Sequence, residues 1–256
     1  MKRLRTMLAV MAMLMTTSVV TAQNYGIVFG ALEVNEVNAA DIFGNGTASY
    51  DLEQNTLVLQ DNFNYHLSRG FVTINTGRDF RIRLEGDAKI YAAVVSDDAI
   101  IVEADDNFTL SFTANISGSA LKCKSLTVMP KVYLDLLSRN SQSDMYALDC
   151  ESLTVNNAVL YAEVTTAQLA VATQQMTLNE CWLKKPHGGF VSAINGGICF
   201  GDGIPAKLVR IVTEGYGVDE LDEPAQNVSV EKVFKNGQVI IIKDGKQYDM
   251  TGRALN

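Results

Sequence analysis

The sequence predicts an all-β fold, a right-handed parallel β-helix, or solenoid, of about six or seven coils. Three recurring patterns carry that expectation. The first is an apolar, usually threonine, apolar triplet: Leu57-Val58-Leu59, Phe80-Arg81-Ile82, Phe108-Thr109-Leu110, Leu126-Thr127-Val128, Leu153-Thr154-Val155, Met176-Thr177-Leu178 and Ile198-Cys199-Phe200, with starts 18 to 28 residues apart. In an extended strand such a triplet sends two side chains to one face and the middle one to the other. The second is an apolar, aromatic, apolar strand five to ten residues after the triplet start: Ile90-Tyr91-Ala92, Val132-Tyr133-Leu134, Leu160-Tyr161-Ala162 and Cys181-Trp182-Leu183. The third precedes the next triplet, with Leu121 and Cys123, Leu148 and Cys150, and Val171 and Thr173 at matching offsets. A unit of this size cannot bury its own apolar face, so it stacks on its neighbours. Three strands per coil, joined by turns, is the cross-section of a parallel β-helix.

The elements follow in order. Residues 1–22 read as a secretory signal peptide, with Lys2, Arg3 and Arg5 before an apolar run from Met7 to Val20 and a cut before Gln23. The run is shorter than the ~20 residues of a spanning helix, and no later stretch is long enough to cross a membrane. Residues 23–56 depart from the repeat and are expected to form an N-terminal cap. Asn38 to Phe43 suggests a short helix ended by Gly44-Asn45-Gly46. Strands are expected over Thr47–Asp51 and Thr56–Leu59, with a turn at Asn55 between them. The β-helix domain occupies 57–213. Residues 214–227, with acidic Val218 to Pro224, read as a linker. Residues 228–256 read as a small antiparallel meander, because Asn236-Gly237 and Asp244-Gly245 are strong two-residue hairpin signals.

A formal net charge of -8 argues against a nucleic-acid partner, since neutralising phosphates needs a basic surface. The cysteines Cys123, Cys150, Cys181 and Cys199 lack the paired spacing of a zinc site. Cys123 and Cys150 each stand three residues before their triplet, so they should occupy equivalent positions on successive coils as buried packing residues.

No phosphate loop, dinucleotide fingerprint, Gly-x-Ser-x-Gly or His-Glu-x-x-His motif is present, and no catalytic residue is assigned. His66 and His187 stand in turn-like contexts as ordinary surface residues. The acids Asp97, Asp98, Glu103, Asp105, Asp106, Asp144, Asp149 and Glu151 read as solvated turn charges, with Arg81 and Arg83 within one coil of the first pair. Lys122 and Asp149 fall at matching outward positions on adjacent coils, as a structural ion pair would.

Alternation predicts that Tyr91, Tyr133, Tyr161 and Trp182 form one outward row, interrupted at the coil that starts with Phe108. Thr109, Thr127, Thr154 and Thr177 should form a second outward ladder. Exposed rings on a repeating scaffold stack on sugar rings with little entropic cost. The expected carbohydrate-binding residues are therefore Tyr91, Tyr133, Tyr161 and Trp182. Packing under loops, or against one another, is the alternative use of the same rings.

Two segments resemble known families. Asp41-Ile42-Phe43-Gly44-Asn45-Gly46-Thr47, then Ser49-Tyr50-Asp51 and Asn55-Thr56-Leu57-Val58-Leu59, followed by the Leu-Thr-Val coils, resembles the opening of secreted bacterial β-helix proteins in the carbohydrate-binding family that recognises cellulose and pectic polymers. The resemblance implies a secreted or cell-surface protein that binds polysaccharide, with calcium a possible cofactor. The tail Val233-Phe234-Lys235-Asn236-Gly237-Gln238, with Asp244-Gly245-Lys246 and Tyr248 to Arg253, is similar to C-terminal tails of Bacteroidetes proteins, some of which serve as type IX secretion signals. The combined expectation is a non-catalytic surface module that binds polysaccharide. The alternatives are a structural or adhesive protein that associates with other surface proteins, and a polysaccharide lyase.

Overall fold

The computed structural model describes residues 23–115, 118–139, 145–166 and 169–214, and beyond them the backbone of strands between 231 and 255. The signal peptide expected at 1–22 and nearly all of the linker expected at 214–227 lie outside the described residues. The chain divides into two compact units, Met1–Tyr216 and Gly217–Asn256. The first is a β-solenoid of about five turns, and the described residues contain no helix.

Two antiparallel pairs open the first unit: β1 (Asn24–Phe29) with β2 (Leu32–Asn35), and β3 (Ala48–Asp51) with β4 (Thr56–Gln60). From β4 the chain winds, each coil giving one strand to a first sheet and one or two to a second. β4 leads to β5 (Phe63–Ile74), and β6 (Phe80–Glu85) leads to β7 (Ala88–Ser96). From the third coil the second leg is split. β8 (Ala99–Ala104) precedes β9 (Phe108–Ala114) and β10 (Leu121–Lys122), and β11 (Ser125–Val128) precedes β12 (Val132–Ser138) and β13 (Leu148–Asp149). β14 (Ser152–Asn156) likewise precedes β15 (Val159–Val164) and β16 (Val171–Ala172). A last strand, β17 (Gln175–Asn179), joins the first sheet, whose order is β17-β14-β11-β8-β6-β4-β3.

The second sheet is then closed by antiparallel strands: β18 (Cys181–Lys185), β19 (Phe190–Ser192), β20 (Gly197–Phe200), β21 (Ile204–Pro205) and β22 (Leu208–Thr213). β22 lies between β15 and β18, and β20 lies beside β16.

Alternation sends one side chain in two to the interior. In the first sheet Leu57, Ile82, Val102, Val128, Val155 and Leu178 stack in register, as do Phe80, Ile100, Leu126, Leu153 and Met176. In the second, Ala88, Leu110, Leu134, Leu160 and Ile211 form one inward row and Val94, Leu121, Leu148 and Val171 another. All of these are buried except Met176 and Leu178 of the final strand. The third-strand positions predicted for Leu121, Leu148 and Val171 are in register as expected.

Three expectations are corrected. The coils number about five, because two triplets are not coil starts: Phe108-Thr109-Leu110 lies in the second sheet beside Val132-Tyr133-Leu134, and Ile198-Cys199-Phe200 lies in an antiparallel closing strand. The strand that stacks between Phe80-Arg81-Ile82 and Leu126-Thr127-Val128 is Ile100-Ile101-Val102. Alternation marks a strand but not the sheet that holds it. The stretch Asn38–Phe43 forms turns rather than a helix. Asn35, Asn38 and Asp41 explain why: their side chains accept the backbone N–H groups of Val37, Asn35, Asn45 and Gly46 at 2.8–3.0 Å, in competition with helical bonding.

The corners between the two sheets are tight. Asn62, Lys131, Asn157 and Glu180 occupy them with φ of 65°, 69°, 42° and 55°. At Gly86 the corner presses on the preceding coil, and a Cβ there would lie 2.3 Å from the Asp61 Cα.

The second unit holds β23 (Glu231–Lys235), β24 (Gln238–Lys243), β25 (Lys246–Tyr248) and β26 (Ala254–Leu255), paired antiparallel in chain order. The first three are the strands read from the two hairpin signals, and β26 follows Gly252-Arg253 as a fourth.

Candidate functional site

The outer face of the second sheet carries the residues singled out from the sequence. Ile90, Ala92, Val132, Leu134, Leu160 and Ala162 are buried, so the rings between them point outward. Tyr91, Tyr133 and Tyr161 are half-buried, and Trp182 is 48% exposed. They do not form the single row expected. Tyr133 pairs with Val159, while Tyr161 pairs with Asp135. The turn after Val155 is one residue shorter than the turn after Val128, and Tyr161 lies one residue further along its strand than Tyr133. The two differences add to a shift of two, which keeps both rings outward but sets them diagonally, about 7–8 Å apart.

Two rows run side by side across the coils. One contains Thr109, Tyr133 and Val159. Extending the antiparallel pairing of Leu160 with Ile211 by one residue brings Val212 beside Val159, and Val212 pairs with Trp182. Tyr133 and Trp182 therefore flank two valines, three strand spacings or about 14 Å apart. The neighbouring row is polar: Lys89, Ser111, Asp135, Tyr161 and Arg210. The Tyr161 hydroxyl donates to Glu163 Oε2 at 2.7 Å. Burial, the bond to Glu163 and nearby acids push its pKa upward, so it remains a neutral donor. Burial also raises the Asp135 carboxyl, with Glu163 adding to the shift, while a hydrogen bond from Ser111 and the charge of Lys89 oppose it.

A cleft of about 220 Å³ opens at the corner beside Val159, between Lys131, Asn157 and Thr213. Tyr91 stands apart. His66 stacks on it at 4.0 Å between centroids and 14° between planes, which occupies one face of the ring. His66 lies in strand β5 and not in the turn expected for it, and no sequence signal marks the contact, because His66 precedes an irregularity in β5 that its register alone could not place.

The remaining candidates have structural roles. Thr127, Thr154 and Thr177 form an outward ladder on the first sheet, whereas Thr109 belongs to the second sheet beside Tyr133. Arg81 and Arg83 pair with Glu103 at 2.6 and 3.6 Å, not with Asp97 and Asp98. Asp98 instead accepts bonds from Thr76 N, Thr76 Oγ1 and Gly77 N at 2.7, 3.0 and 3.1 Å, fixing the turn of the preceding coil. Lys122 and Asp149 pair at 3.2 Å across adjacent strands, as their positions predicted. Asp144 lies outside the described residues.

Two further clefts, of about 460 and 450 Å³, run along the corner where β10 and β13 lead into β11 and β14, and share Asp97, Lys124 and Glu151. Cys123 and Cys150 line the larger one, at the equivalent positions expected, buried and as free thiols. Burial pushes the Cys150 thiol up to about 12 and also raises that of Cys123 well above its ordinary value, so neither supplies a thiolate near neutral pH. Among the described residues no group of three or more His, Cys, Asp or Glu is placed to hold a metal ion, and no helix is long and apolar enough to cross a membrane.

Compared with family models, with curated proteins and with solved structures, the chain matches none. The reading of the site therefore rests on its own geometry. That geometry is an outer face where Tyr133 and Trp182 flank two valines that are 1% and 2% exposed, beside a line of hydrogen-bonding side chains.

Proposed function

We propose that this protein is a secreted or cell-surface, non-catalytic β-solenoid that binds polysaccharide through the outer face of its second sheet. The observation that supports the reading is the adjacency of the two rows. Tyr133 and Trp182 offer ring faces for the apolar side of a sugar, and Ser111, Asp135, Tyr161 and Glu163 offer donors and acceptors for its hydroxyls. A polymer, unlike a single sugar, is long enough to span the three strand spacings between the two rings. The segment before Gln23 would direct export, and the tail from Val233 would sort the chain to the surface.

A polysaccharide array probed with the purified protein, with and without added calcium, tests the reading. Binding to at least one polymer is expected. Silence on every polymer overturns it, and release of unsaturated ends absorbing in the ultraviolet would replace it with a lyase.

A further inference from the structure

The two sheets end differently at the C-terminal side of the solenoid. The second is closed by the antiparallel strands β18 to β22. The first stops at β17, which among the described residues pairs only with β14. The apolar residues of this last strand are less covered than those above them. Leu153 and Val155 are 1% and 0% exposed, while Met176 and Leu178, stacked on them, are only partly buried.

The direction of the open backbone groups follows from the bonds already made. Gln175 N donates to Glu151 O at 3.2 Å, and Asn179 O accepts from Asn157 N at 2.7 Å. Alternate residues of a strand point their N–H and C=O groups the same way, so Gln175, Thr177 and Asn179 bond toward β14. The N–H and C=O groups of Met176 and Leu178 therefore face outward.

Two devices that protect an edge are missing from the strand itself. Gln175-Met176-Thr177-Leu178-Asn179 has no charge and no proline. It is also palindromic in character: polar, apolar, polar, apolar, polar. We propose that β17 is a homodimer edge, pairing antiparallel with β17 of a second copy about a two-fold axis at Thr177. In that register Met176 faces Leu178 of the partner in hydrogen-bonded pairs, which uses all four outward groups, and Gln175 faces Asn179 of the partner. Thr177 faces Thr177 of the partner as a non-hydrogen-bonded pair, with Cα atoms about 4.5 Å apart. An isologous contact of this kind closes on itself and leaves no edge to propagate. Phe190, Ile194 and Ile204, in the strands and turn closing the same end, are 42%, 96% and 53% exposed and would add apolar contact. A second copy fits better than an unrelated strand because the sequence matches its own reversal and brings no like charges together.

Sedimentation of the full chain, expressed with its own leader, over a hundredfold concentration range tests the proposal. A monomer–dimer equilibrium is expected. Thr177→Lys, at an exposed outward position where the fold tolerates it, should weaken dimerisation tenfold or more, because two lysines would meet at the axis. Thr177→Cys should give a covalent dimer under mild oxidation faster than the wild-type chain, since the Cα separation lies within the range a disulfide spans. A monomer at every concentration, unchanged dimerisation of Thr177→Lys, or no faster cross-linking of Thr177→Cys overturns it. None of these outcomes depends on polysaccharide binding.

Discussion

At the scale of single residues, Asn55 shows how a polar side chain sets the start of a stacked fold. It is 2% exposed with φ of 53°. Its Oδ1 accepts from the Tyr50 hydroxyl at 2.5 Å, and its Nδ2 donates to Thr76 Oγ1 at 2.9 Å and to Asp79 O at 2.7 Å. One amide thus ties the β3–β4 turn to the corner of the first coil. Asn55→Ala should cost about 3 kcal/mol in denaturant unfolding, combining orphaned polar groups with a left-handed backbone position. Asn55→Gly should recover only the backbone part. Asp135 makes a prediction in pH. Its raised pKa means that the folded state holds this proton more tightly than the unfolded chain does. Its favourable contribution is complete below the ordinary carboxyl range and is lost as pH rises through the raised value. Asp135→Asn should therefore melt higher than wild type at pH 7, and the gap should narrow toward pH 4; a gap that widens on acidification contradicts the assignment.

At the scale of elements, the corners decide register. Gly86 has no room for a Cβ against the backbone of Asp61, whereas Gly77 has open space but φ of 74°. Gly86→Ala should cost about 2 kcal/mol or more through displaced backbone, and Gly77→Ala about 1 kcal/mol through strain alone; equal losses would refute the close approach. The same corners limit what the sequence reveals. Leu126, Leu153 and Met176 were legible as one ladder because each starts an apolar-threonine-apolar triplet in the same sheet. Ile100-Ile101-Val102 was not, since it lacks the threonine that marks the later members of that ladder, and the nearby Phe108-Thr109-Leu110 carries one and took its place. The outward direction of Tyr133 and Tyr161 was legible from period two, but their row was not. A one-residue difference between two turns moves a side chain along the strand without changing its face. The match of Leu121, Leu148 and Val171 survived because the turn that follows each of them has the same length.

At the scale of the whole molecule, the inward ladders do the folding and leave the outward faces free to differ. A loss of about 2–5 kcal/mol is expected for Leu134→Ala, which empties a position with no exposed surface. Thr154→Ala, on the outward ladder of the first sheet, should change stability by about 0.5 kcal/mol or less. That contrast supplies the control for function, since a surface variant tests the site without unfolding it. On the proposed function, polysaccharide binds along the Tyr133–Trp182 row and the polar row beside it. The decisive measurement is titration of a polymer identified on the array against the wild-type chain, the double variant Tyr133→Ala and Trp182→Ala, and Thr154→Ala. The double variant should bind about 30-fold more weakly, from about 1 kcal/mol for each ring, and Thr154→Ala should bind as wild type; equal affinity for all three proteins would place binding elsewhere on the molecule.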